Sequence, residues 1–256
     1  MYPIAHAWLI AQLVPAATDA HLLGCVWPDM LYASPLDHAR SHKSGRLLAQ
    51  RARTLPDLLD GETFRAFVLG VLTHGSEPRG FDWYSDEAYG DENAATRGYA
   101  FQQGKPLAEA SARACDVALD QGWWKAHNIV EMAFEPALWR DRPKLGEGIA
   151  RACADERLVE CVTRELSAVF GEPQAGLATA IQRFPEVITL RPDSAKTLAE
   201  VYALQVRLKH PGAAPDVSAI AHLIGQAEEL IAASKDDFLA TCVARVGAMA
   251  REVLSR

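Results

Sequence analysis

The stretch "AHNIVE", residues 126–131, sets His127 and Glu131 four positions apart. On a helix that spacing aligns both side chains on one face. An imidazole nitrogen beside a carboxylate oxygen is a donor pair that Zn²⁺ accepts. The pair alone is a common coincidence of helical sequence, and its weight comes from its company. "LGVLTH" ends on His74, with Glu77, Asp82 and Asp86 close behind; "DHARSH" carries His38 and His42, again four apart. His6 lies in the apolar "IAHAW", and "LLGCVWPDMLY" is an apolar run that stops on Asp29 directly after Trp27-Pro28. Together these give His6, Asp29, His38 or His42, His74, a loop carboxylate, His127 and Glu131, on or beside apolar helices. A helical bundle builds a metal cluster from inward-facing side chains of these types. Each also has an ordinary reading: His6 as a satisfied core histidine, His74 as a helix-end histidine favoured by the dipole, and Asp29 as a cap.

The elements that must hold these residues read as helices. Residues 5–14 form a short apolar segment. Residues 61–74 place Phe64, Phe67, Val68, Val71 and Leu72 at buried-helix spacing. Residues 106–138 read as two helices broken near Gly122, and 146–170 as one amphipathic helix ending at Gly171. Residues 192–209 begin at the capping candidates Asp193 and Ser194. From Asp216 onward the pattern fits one long helix or two, with a break at Ser234–Asp237. "PEVITLRP" is the best strand signal, short and flanked by proline. The fold class expected is therefore all-α. Residues 75–101 read as a long polar loop, and loops of that length are often functional.

Of 256 residues, 49% are hydrophobic and 23% charged, ordinary values for a globular chain with its own core. The net charge of −7 makes a role in coating nucleic acid unsuitable. No apolar run reaches the roughly 18 residues of a membrane span. The apolar start lacks a basic region and is interrupted by His6, so it reads as mature protein in the cytoplasm. Cys25, Cys115, Cys153, Cys161 and Cys242 are odd in number and form no CxxC pair, which argues for core filling over disulfides or a thiolate zinc site. Six of eight histidines precede residue 128. Function is therefore expected in a metal-binding core over residues 1–140, with residues 141–256 as C-terminal helices packed on it. His210 and His222 read as isolated.

The order of "IAHAW", "LLGCVWPDMLY", "RSHKS", "FVLGVLTHGSEPRGFD" and "AHNIVE" resembles the zinc-dependent phospholipase C and phospholipase D family. Its most similar branch contains the glycosylphosphatidylinositol-specific phospholipase D catalytic domain, and the fold is shared with single-strand-specific zinc nucleases. The likeness spans roughly residues 2–135 and is most specific in "GCVWPD" and "LGVLTH". It implies a multi-helix phospholipase C-like bundle with a C-terminal helical extension and one or two Zn²⁺ ions. Asp29, His42 and His74 would share one zinc, His127 and Glu131 a second, and His6 would lie beside a third position. Asp29 would also be a candidate base for the attacking water. The chain departs from the pattern at Pro78, where the family has a bridging Asp; Glu77 or Asp82 would stand in. Asp82 also occupies the region where the family has a further loop histidine. Secreted members use their N-terminal amine as a ligand, whereas five residues precede His6 here.

The activity implied is metal-assisted hydrolysis of a phosphate ester, with a small phosphoester or a phospholipid headgroup as substrate. Arg40, Lys43 and Arg46 beside His42 could hold phosphate oxygens, or form a solvated helix face. Trp83 and Tyr84 could cover the substrate, or anchor the loop. Two other readings stand beside this one. One is a helical metal-binding or interaction protein without activity, suggested by Pro78. The other is a metallohydrolase acting on nucleotides or nucleic acid.

Overall fold

The computed structural model describes residues 2–32, 34–87 and 97–255. Among these there are fourteen α-helices and no strand. In order they are α1 (Pro3–Leu13), α2 (Asp19–Val26), α3 (His38–His42), α4 (Gly45–Thr54), α5 (Leu59–His74), α6 (Tyr99–Gly104) and α7 (Ala108–Ala114). There follow α8 (Gly122–Asp141), α9 (Lys144–Ala154), α10 (Glu156–Phe170), α11 (Gln174–Arg183), α12 (Ala195–Lys209), α13 (Val217–Ile231) and α14 (Lys235–Ser255). No described helix is long and apolar enough to cross a membrane.

Helix α5 is the central element. Phe64, Phe67, Val68, Val71 and Leu72 are all buried, as their 3–4 spacing requires. Helix α2 crosses α5 backbone to backbone. A Cβ on Gly24 would lie 1.9 Å from the Phe67 carbonyl oxygen, and one on Gly70 would lie 2.4 Å from that of His21. Only glycine permits so close an approach. The two apolar motifs "LLGCVWPD" and "FVLGVLTH" are therefore the two halves of one crossing. One continuous set of buried apolar residues runs from Tyr2 to Val253, so the first 140 residues and the rest share a core. All five cysteines are free and buried, and Cys25, Cys115, Cys153 and Cys242 belong to this set.

Several boundaries follow local chemistry. The stretch 146–170 is two helices, because Asp155 takes an extended conformation and its carboxylate accepts from the amides of Arg157 and Leu158. A carboxylate that caps competes with helix continuation at that position. Helix α10 ends on Gly171 at φ 70°, the left-handed cap. Ser194 caps α12 and Asp216 caps α13, and the break before Lys235 separates α13 from α14. "PEVITLRP" forms no strand: Phe184–Glu186 make a 3-10 turn and the chain then runs irregularly to α12. The region 75–101 is more structured than a loop. Trp83–Glu87 form a π-helical turn and α6 begins at Tyr99; the rest of the expected loop, 88–96, lies outside the described residues.

Candidate metal centre

Three histidines are fixed in the same way. His74 Nδ1 lies 2.6 Å from the Cys25 carbonyl, His42 Nδ1 3.1 Å from the His38 carbonyl, and His127 Nδ1 2.9 Å from the Trp124 carbonyl. A carbonyl oxygen only accepts, so each Nδ1 is the donor. That leaves each Nε2 as the free lone-pair nitrogen, and ligating histidines are commonly oriented this way. The Cys25 carbonyl reaches His74 because α2 and α5 cross at their glycines. His42 and His127 are held within their own helices, by carbonyls four and three residues earlier.

The Nε2 atoms converge on carboxylates. Asp29 Oδ1 lies 3.4 Å from His42 Nε2 and 3.7 Å from His74 Nε2. Asp82 Oδ2 lies 3.3 Å and 3.1 Å from the same two atoms. Four donors around a tetrahedral zinc with bonds near 2.0–2.2 Å are separated by about 3.3–3.6 Å. Asp29, His42 and His74 therefore form one group that could hold an ion, with the Asp82 carboxylate against both histidines. The other oxygen of Asp82 faces His6, with Oδ1 3.4 Å from Nε2, so Asp82 joins His6 to this set. The His6 ring stacks on His74 with centroids 3.7 Å apart. A second set lies on α8 and the π-turn: His127 Nε2 is 3.6 Å from Asp86 Oδ1 and 3.7 Å from Glu131 Oε1. Ser85 Oγ donates to Glu131 Oε1 at 2.8 Å. His74 Nε2 and Asp86 Oδ1 are buried without a hydrogen-bond partner among the described residues. Orphaned lone pairs of this kind suit a metal ion.

Asp29 is thus a cluster member and not a cap; the capping of α3 falls to Asp37, which accepts from the Arg40 amide. Trp27 and Pro28 are buried within a 3-10 turn, and Asp29 ends it. Trp27 packs against Phe67 and Phe170, which fixes the turn and directs the carboxylate at His42 and His74. Glu77 does not join the cluster. The amides of Ser76 and Glu77 bond to the His42 carbonyl, and the Glu77 carboxylate turns outward to Lys43 Nζ at 3.3 Å. Asp82, not Glu77, is the loop carboxylate that faces His42 and His74. Phe81 is fully buried, edge-on to His6 and stacked near Phe238, and this anchor sets the orientation of the next residue. Asp86, which sequence reasoning saw only as part of a carboxylate crowd, completes the second set. The four-residue interval between Asp82 and Asp86 was the signal that could have found it.

The electrostatics describe a site built around positive charge. Burial raises the Asp29 and Asp82 carboxyls, but His74 and its neighbours overcome this and hold both well below the usual range. Burial lowers His74, yet Asp82 and Asp29 drive it up to about 10. Glu131 and Asp86 likewise raise His127 to about 9 against its burial. Burial, with Asp86 adding, pushes Glu131 up to about 7. His6 falls to about 4 through burial and the charge of His74. Next along α8, buried Glu135 accepts the Ile4 and Ala5 amides at 3.1 and 2.8 Å, which ties the start of α1, and with it His6, to the second set.

Both sets open into one cleft of about 740 Å³. Its far wall comes from the C-terminal part: Phe184, Val187, Ile188, Tyr202, Gln205 and Val206. Residues 141–256 thus share the core and also supply part of the cleft wall. None of the five residues suggested for substrate contact lines the cleft. Arg40 binds Glu172 and the Phe170 carbonyl, Lys43 pairs with Glu77, and Arg46 is exposed on α4. Trp83 lies under the Arg79 guanidinium, and Tyr84 is buried in the core.

The two loop carboxylates are separable by mutation. Asp82→Ala should weaken zinc in the first set by at least about 100-fold, since even partners that only orient ligands cost 10–100-fold. Glu77→Ala should leave zinc affinity unchanged, as its carboxylate faces solvent and Lys43. Competition titration against a chromogenic chelator measures both. Equal losses in the two variants would contradict this arrangement.

Comparison with models of protein families, with curated proteins and with solved structures found no match.

Proposed function

We propose that this chain is a metal-dependent hydrolase of phosphate esters that uses zinc. The observation that carries the reading is the shared posture of His42, His74 and His127, each with Nδ1 on a backbone carbonyl and Nε2 among carboxylates; His42 and His127 line one cleft and His74 is buried behind it. Asp29, His42, His74 and Asp82 would hold one ion, and Asp86, His127 and Glu131 another. When bound, such ions stabilise charge on phosphoryl oxygens and bring the pKa of water towards about 7. Asp29 is 36% exposed at its side chain, against 7% for Asp82, so it is the carboxylate of the first set that reaches incoming water. Held ionised, it can orient that water and take its proton. The apolar wall of Phe184, Val187 and Ile188 excludes solvent from the bound ester.

The alternative is a helical metal-binding or interaction protein without activity; the position of Asp82 against His42 and His74 supports the hydrolase reading. The experiment is turnover by zinc-loaded protein on a chromogenic phosphodiester, a phosphocholine ester, a phosphomonoester and nucleotides. Slow turnover is expected on at least one, removed by chelator and restored by zinc. Metal-loaded protein inert towards the whole panel would refute the proposal and favour a metal-binding interaction protein. Turnover restricted to nucleotides would assign the same site to nucleotide chemistry.

A further inference from the structure

The cleft has a cationic side that the two donor sets do not use. Helix α8 presents two adjacent stripes to it. One carries Trp124, His127 and Glu131; the other carries Lys125 and Asn128, with Gln121 just before the helix. Lys125 is only 4% exposed, and its Nζ lies 2.9 Å from His210 Nε2 at the end of α12. Lys209, next in the chain to that histidine, also lines the cleft, and its positive charge bears on both Lys125 and His210.

Among the described residues no carboxylate pairs with Lys125. Burial lowers the pKa of His210, with Lys125 adding, so the imidazole is a neutral acceptor. Burial also keeps the Cys115 thiol protonated, pushed up to about 11, and the Tyr202 hydroxyl neutral. Asn128 is uncharged and donates to the Tyr202 hydroxyl at 3.1 Å. Burial, with the charge of Lys209 adding, disfavours the charged form of Lys125, and an anion seated in the cleft would offset both. The space beside Lys125 is the cleft, on the same helix as the second donor set.

We propose that Lys125, with Lys209 at the rim, binds a second oxyanion of the substrate, separate from the phosphoryl group at the metal sets. This rests on the hydrolase reading and narrows it. The substrate is a phosphate ester bearing a further carboxylate or phosphate, not one with a cationic headgroup.

The test uses three 4-nitrophenyl phosphodiesters that differ only at the far end of a propyl chain: carboxylate, phosphate or methyl. Zinc-loaded wild type should favour at least one anionic ester over the methyl ester by about 10–100-fold in kcat/KM, the range of a hydrogen bond to a charged group. The better of the two anionic esters identifies the oxyanion. The preference should collapse towards unity in Lys125→Met and persist in Lys125→Arg. Binding is measured separately by calorimetric titration with sulfate. Lys125→Met should weaken sulfate by about tenfold, and Asp29→Asn should leave it bound. Active wild type without preference for the anionic esters would overturn the inference and leave the hydrolase reading standing. Sulfate binding lost in Asp29→Asn but kept in Lys125→Met would place the anion at the metal sets and overturn it too. Inert wild type whose sulfate binding depends on Lys125 would support the anion site and refute the hydrolase.

Discussion

Replacing His74 by alanine is expected to remove the metal of the first set, to leave the second set loaded, and to abolish phosphoester turnover. His74 Nε2 stands between Asp29 and Asp82, at 3.7 and 3.1 Å. Without the ring those two carboxylates would face each other with His42 as the remaining nitrogen donor, and like charges so placed resist ionisation together. The second set shares no residue with the first; its donors are Asp86, His127 and Glu131. Metal analysis should therefore read about two zinc ions per chain in the wild type and about one in the variant, as expected for two independent donor sets. Turnover should fall by at least about 10²–10³-fold, the loss typical when one electrostatic stabiliser of a transition state is removed. The fold should survive, since the void adjoins an open cleft and α5 keeps its apolar face. An unchanged zinc content with unchanged turnover would mean that His74 is a buried structural histidine and that the chemistry lies elsewhere.

Removing the metals should turn the same atoms into proton sites. In metal-free protein, burial disfavours charge on His74 and His127, but facing carboxylates outweigh it and raise them to about 10 and about 9. At pH 8 both rings are then protonated, and each ion that binds must displace a proton. Zinc titration at pH 8 in buffers of different ionisation enthalpy should report release of about two protons per chain, one per set. Stability follows with a definite sign. The histidines are raised above their ordinary 6.5, so their contribution to metal-free protein is full below that value and is lost as pH rises through about 9 to 10. Asp29 and Asp82 are depressed below 3.8, so theirs is present above that value and lost as pH falls through their lowered range. The gap in Tm between metal-loaded and metal-free protein should therefore widen from pH 6.5 to pH 9. Proton release near zero at pH 8, with a gap independent of pH, would show that these imidazoles do not face ionised carboxylates.

What the sequence by itself determined was carried by short-range periodicity. The helical class and the buried face of α5 follow from 3–4 spacing of apolar residues. His127 and Glu131 share a face because a helix turns through 3.6 residues, and Asp29 ends a turn because Trp27 and Pro28 fix its path. The limits of periodic reading appear at residues 146–170, where the apolar pattern continues across Asp155 although the backbone does not. Which loop carboxylate, Glu77 or Asp82, would face the histidines could not be read from spacing. Glu77 is nearer to His74 in the chain, but its backbone is bonded to the His42 carbonyl and its side chain turns outward. Phe81, held by His6 and Phe238, carries Asp82 inward instead. The membership of Asp86 depended on a π-turn whose register no propensity specifies. Lys125 and His210 are 85 residues apart, and the C-terminal wall of the cleft is likewise distant in the chain from the motifs that suggested a site. Contacts of that range exist only once α12 packs beside α8, because burial of apolar faces, and no local rule, brings those two helices together.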